Sequence, residues 1–92
     1  NIPRVLPEGL GVDVELSAWH LPPVFKWLAE QGGLDQGEML KTFNCGIGMV
    51  AVAARDKAQA VGDIFQAAGH SVAVIGEVTK GEGVRYTKGS LL

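Results

Sequence analysis

One cysteine, Cys45, in 92 residues excludes an intrachain disulfide and leaves too few thiols for a cysteine-built metal site. A lone thiol is also easier to keep in a reducing cytosol. The two histidines, His20 and His70, stand at no zinc-ligand spacing with it, so no metal site is expected. No stretch approaches the roughly 18 continuous apolar residues of a membrane span, and no signal-peptide pattern opens the chain. The expectation is a soluble, cytoplasmic protein. A net charge of -2 offers no overall attraction for nucleic acid or an anionic membrane, and neither is expected as a partner.

What is present is the composition of a packed domain: 47% apolar residues, 20% charged ones and 13 glycines. At this length the chain makes one small domain at most, and a domain of that size buries roughly 60 to 65 per cent of its unfolded surface. The chain opens on Asn1 in a stretch punctuated by Pro3 and Pro7, which reads as an ordered loop and a connection from elsewhere in a longer protein. From Gly11 to Leu16 the alternation of Val12, Val14 and Leu16 with Asp13 and Glu15 predicts a strand with one buried face. Trp19 and Leu21 lead into a helix with prolines at 22 and 23, ended by Gly32-Gly33, in which Val24, Phe25 and Leu28 share a face.

Asp35 and Glu38 resemble a capping box for a short helix with Met39, Leu40 and Phe43 on its apolar side. The apolar run Met49 to Ala54 predicts the central strand, covered on both faces. Asp56 is the expected cap of a helix with Val61, Ile64, Phe65 and Ala68 on one face and Gly69 as its terminator. Ser71 to Thr79 and Gly83 to Lys88 read as two further strands joined by a hairpin turn at 79–82. The expected fold is α/β: a mixed sheet with packed helices, a β-α-β-β unit after residue 45, forming part of a larger domain.

Gly46 and Gly48 sit where a helix gives way to an apolar run, and glycines there let backbone N–H groups converge on a phosphate or other anion. Asn44 can add amide hydrogen bonds. The plainer alternative is a tight turn against a packed neighbour, since Gly-x-Gly is a weak signal by itself. Asn1 and Arg4 lie in the stiff opening loop, where a guanidinium can clamp a phosphate; a surface ion pair is the equally open alternative. Cys45 is expected to be a buried, inert thiol, because neither histidine is placed by sequence to activate it. No two carboxylates have the spacing of an acid–base pair, and the catalytic residues stay unassigned.

Asn1-Ile2-Pro3-Arg4-Val5-Leu6-Pro7 and Thr42-Phe43-Asn44-Cys45-Gly46-Ile47-Gly48-Met49 resemble two segments of the aminoimidazole ribonucleotide synthetases, also called phosphoribosylformylglycinamidine cyclo-ligases. The helix Pro22 to Leu28 has its counterpart there, and the similarity extends through Val74-Ile75-Gly76. The resemblance implies that residues 1–92 are a partial C-terminal domain, without the N-terminal domain that binds ATP and dimerises and without the glycine-rich segment that opens the C-terminal one. It implies an ATP-dependent ring closure of formylglycinamidine ribonucleotide, needing ATP and magnesium in the full-length enzyme and no cofactor held tightly by this chain, which alone would be inactive.

The implied partners are the missing N-terminal domain, the phosphorylated ribonucleotide substrate and a second subunit of a homodimer. Asn1, Arg4, Asn44, Gly46 and Gly48 are the implied substrate-binding residues. Two alternatives stay open: a non-catalytic small-ligand or interaction module, from another class, and another ATP-using relative within the same superfamily, such as thiamine monophosphate kinase, selenophosphate synthetase or a hydrogenase maturation factor. Those relatives lack the combination of Asn-Ile-Pro-Arg and Phe-Asn-Cys-Gly. A partial domain should also expose apolar surface.

Overall fold

In the computed structural model, which describes all 92 residues, β1 (Leu10–Glu15) runs down the middle of a three-stranded mixed sheet. β2 (Gly76–Lys80) lies antiparallel on one side of it, with Val12 opposite Val78, and β3 (Gly83–Thr87) lies parallel on the other, with Val12 opposite Val84. The mixed sheet and its three helices make the α/β fold that the alternating patterns predict.

The period-2 reading of β1 holds in detail. Val12 and Val14 are buried on one face, and Leu16 continues it just beyond the strand. Asp13 and Glu15 point to the other face, where they meet Arg85 at 2.6 Å and Lys88 at 3.2 Å. Arg85 also donates to the carbonyl of Gly81 and to Thr79, so one guanidinium spans all three strands. Partly exposed pairs of this kind contribute up to ~1 kcal/mol each, and their larger effect is to hold register.

The sheet order differs from expectation in a specific way. β2 and β3 are separated by only Gly81 and Glu82, which predicts a hairpin, yet the two strands flank β1 instead of pairing with each other. The link crosses over the start of β1, with the Gly81 N–H bonded to Gly9 O at 2.8 Å. Gly11 makes the crossing possible: a Cβ there would collide with the carbonyl oxygens of both Gly81 and Gly83.

α1 (Pro23–Gly32) begins after Pro22 and ends in Gly33, whose φ of 61° and N–H bond to Ala29 O form a left-handed cap. Its inward stripe is Phe25, Leu28 and Ala29, whereas Val24 is exposed, so the buried face is rotated from the one predicted. α2 (Gln36–Thr42) starts at Asp35, whose carboxylate accepts the Glu38 N–H at 2.9 Å. Only this half of the capping box forms; the Glu38 side chain makes no return bond. Met39 is 1% exposed, with Leu40 and Phe43 packed beside it as the pattern predicts.

α3 (Ala58–Ala67) is preceded by a 3₁₀ turn, Arg55–Lys57, so Asp56 sits inside that turn and does not cap the helix. Gly69 ends it, with φ 93° and its N–H bonded to Gln66 O. No residue of α3 is buried, and Ile64 is 68% exposed.

The Met49–Ala54 run forms no strand. All six of its residues are exposed, and the central position in the sheet belongs to β1. The β-α-β-β unit thus keeps α3, β2 and β3 but lacks its first strand. Ser71 to Ile75 likewise lies outside the ladder, except that Ile75 O accepts the Glu15 N–H at 2.7 Å. The physical reason is common to both segments. An unbroken apolar run reports a need for cover but not which edge will pair with it, and both edges of β1 are already taken by β2 and β3. The core therefore gathers from the first half of the chain, Val12, Val14, Leu16, Ala29, Met39 and Cys45, closed by Leu91 from the far end. Met49, Val52, Ile64 and Val74 remain as exposed apolar surface.

Candidate functional site

The segment after α2 is built by two successive left-handed residues, Cys45 at φ 52° and Gly46 at φ 99°. Together they fold 44–48 into a tight turn. The Asn44 side-chain oxygen accepts the Gly46 N–H at 2.9 Å, and the Asn44 carbonyl accepts the Ile47 N–H at 3.1 Å. Two of the amides that could have met an anion are therefore already bonded within the turn. The Gly48 N–H has no protein partner, and the space where its side chain would stand is open.

The turn is fastened from the other side by Trp19, whose indole N–H donates to Cys45 O at 3.0 Å, and by Pro22, whose ring lies over Gly46. A Cβ on Gly46 would come within 2.6 Å of Pro22 Cδ and 2.8 Å of Cγ. Gly46 thus serves a packed turn, while Gly48 keeps an open approach. Phe25 and Phe43 stack at a tilt nearby, their ring centroids 6.1 Å apart.

Sequence reasoning took Trp19 only as the lead into a helix. The signal it carried was chemical: a half-buried indole N–H needs an acceptor, but the acceptor lies 26 residues away and is invisible to local pattern.

Cys45 is 1% exposed and aims its thiol at the carbonyls of Met39 and Phe43, at 3.5 and 3.7 Å. Burial raises its pKa above the ordinary 9.0, the opposite of what an activated nucleophile needs. The Tyr86 hydroxyl is also pushed up, by burial first and then by the charge Cys45 would carry. Neither histidine hydrogen-bonds the thiol; His70 packs edge-on against Phe65 instead.

Asn1 and Arg4 occupy a separate element, a 3₁₀ turn at Ile2–Val5 whose Ile2 packs on the core. The Asn1 carbonyl accepts the Arg4 N–H at 3.1 Å, and the Asn1 side chain caps nothing. Arg4 is exposed and stands in none of the three ion pairs. No hydrogen bond joins this turn to the 44–48 turn.

Two open concavities lie elsewhere. One of about 190 Å³ is bounded by Glu15, Val74, Gly76 and Glu77, and one of about 220 Å³ by Lys26, Ala29, Glu30, Leu34 and Leu92. None of the five candidate residues lines either. No three His, Cys, Asp or Glu side chains stand close enough to hold a metal, and no helix is long and apolar enough to cross a membrane.

A family model described as "AIR synthase related protein, C-terminal domain" matches residues 1–88. The chain belongs to this family. The matched residues of the AIR synthase related domain include both the Asn1–Pro7 opening and the Thr42–Met49 turn, so the two candidate regions are parts of one family domain even though they occupy separate elements here. Residues 89–92 extend beyond the match.

Proposed function

We propose that this AIR synthase related domain is the C-terminal part of the purine-pathway ligase that cyclises formylglycinamidine ribonucleotide to aminoimidazole ribonucleotide. ATP phosphorylates the formyl-derived amide oxygen; the amidine nitrogen then attacks that carbon and phosphate leaves, giving ADP and the closed ring. The observation that carries this reading is the joint presence, inside one matched span, of the Asn-Ile-Pro-Arg opening and the Phe-Asn-Cys-Gly turn, the pair of segments on which the resemblance to the cyclo-ligases rests.

The geometry sorts the roles. Arg4 offers an unpaired guanidinium on a proline-stiffened turn, suited to bidentate contact with the ribonucleotide phosphate. Asn44 keeps its amide NH₂ free while its oxygen is spent within the turn, and Gly48 keeps a free N–H. Gly46 shapes the turn that presents both, and Asn1 holds Arg4 through the backbone.

On the resemblance to the cyclo-ligases, we assign magnesium and the ATP phosphates to an N-terminal domain of the same enzyme, acting in a cytoplasmic homodimer. Positioning by the two domains together is the main catalytic contribution such a phosphoryl transfer needs.

The test is to incubate the whole protein carrying this chain with ATP, magnesium and formylglycinamidine ribonucleotide. Aminoimidazole ribonucleotide should appear, and Arg4→Ala should lower kcat/KM by about 10- to 150-fold, the equivalent of losing a charged hydrogen bond. Turnover of ATP with a different acceptor would favour a relative of the same superfamily. Ribonucleotide binding without ATP turnover would favour a binding module.

A further inference from the structure

Residues 88–92, all but the first beyond the matched span, make contacts that bear on the turn at 44–48. After β3 two left-handed residues, Lys88 at φ 48° and Gly89 at φ 82°, reverse the chain. The reversal is pinned to the end of β1 through the Ser17 N–H on Lys88 O at 3.1 Å and the Lys88–Glu15 ion pair. Leu91 then enters the core, where it is 8% exposed, and its N–H donates to the Gln36 side-chain oxygen at 2.7 Å. Leu92 lies against the concavity formed by Ala29 and Glu30 of α1 and by Leu34 of the α1–α2 link. The tail therefore touches β1's extension, α1 and α2 at once.

We propose that residues 88–92 are a latch that holds α2 on the sheet and so fixes the position of the 44–48 turn. The mechanical path is short. Gln36, the latch's hydrogen-bond partner, is the first residue of α2; Met39, one turn later, supplies both a core side chain and the carbonyl that the Cys45 thiol faces; Phe43 and Asn44 follow directly. Releasing Leu91 removes an apolar anchor and frees the start of α2. The helix and the turn behind it then open more often, because local opening is governed by the few buried contacts that hold a segment. The ladders that join β1 to β2 and β3 include none of residues 88–92, so the sheet itself should persist.

Cys45 is the sole thiol of the chain and is sealed beneath this path, which makes its labelling rate a direct reporter of opening. Leu91→Ala should speed modification of Cys45 by a small thiol reagent at neutral pH by about tenfold or more, with the far-ultraviolet circular dichroism preserved. Gln36→Ala, which removes only the hydrogen-bond acceptor, should give a smaller rise of about two- to fivefold. Leu92→Ala, at a half-exposed position, should label at the unsubstituted rate.

A folded Leu91→Ala chain that labels no faster than the original overturns the proposal. If Leu91→Ala does not fold, Gln36→Ala decides, and an unchanged rate in that variant overturns it equally. An equal acceleration in Leu92→Ala would also overturn it, since general loosening of the terminus would then account for the effect.

Discussion

Gly46→Ala and Gly48→Ala differ by two residues in sequence and should differ by several kcal/mol in effect. Gly46 has φ 99°, a conformation that costs a residue with a side chain about 1–3 kcal/mol. Its new methyl group would lie 2.6 Å from Pro22 Cδ, and a proline ring cannot swing aside, so overpacking adds about 1–3 kcal/mol. The reduced entropy of the unfolded chain returns only about 0.4–1 kcal/mol. The net loss is about 1 to 6 kcal/mol, set against the roughly 5–15 kcal/mol that holds a small domain together.

Gly48 has no positive φ, and its added methyl group meets open space, so the same substitution should be neutral or stabilise by up to about 1 kcal/mol. Urea denaturation followed by circular dichroism measures both. With a slope near 1 kcal/mol per M, Gly46→Ala should lower the midpoint by about 1 M or more, and Gly48→Ala should leave it in place. Pro22→Ala isolates the contact, because the combined Pro22→Ala and Gly46→Ala chain should be less destabilised than the two single losses added together. Midpoints for Gly46→Ala within about 0.5 M of the original, or strict additivity in the cycle, would refute the packed-turn account of Gly46.

Asp35→Ala should cost about 1 kcal/mol through the lost bond to the Glu38 N–H, and Asp35→Asn should recover most of it; equal losses in the two variants would mean that charge, not capping, supplies the effect. Alkaline pH should weaken the fold. Burial raises the Cys45 pKa above 9.0 and the Tyr86 pKa above 10.0, so the folded chain holds these protons to higher pH than the unfolded chain does. Their contribution is complete below about pH 9 and declines as pH rises through the folded values. Urea midpoints between about pH 7 and about pH 10.5 should fall less steeply for Cys45→Ala and Tyr86→Phe than for the original chain, and parallel slopes would contradict the assignment.

Much of the first half of the fold was legible in the residues. The Val12–Asp13–Val14–Glu15 alternation named a one-faced strand, Pro22-Pro23 and Gly32-Gly33 bracketed α1, and Asp35 announced α2, because each is a local rule about backbone dihedrals or side-chain period. The second half was less legible. Apolar content at 49–54 and 71–75 was visible, but pairing is a competition for edges that no local pattern records. Of the candidate site, the turn at 44–48 could be located from its glycines, whereas its fastening by Trp19 and Pro22 could not.

By itself the sequence determined the α/β class, the family resemblance, the absence of any long apolar helix and the places where the chain must turn. These follow from properties of each residue and its near neighbours: φ preference, hydrophobic period and charge. Tertiary structure alone decided that β1 is the central strand with β2 and β3 on either side, that Gly46 is enclosed while Gly48 is open, that Arg4 lacks an acid partner and that Leu91 closes the core. Each of those outcomes depends on which distant groups come to occupy the same few ångströms, and chain separation carries no record of that.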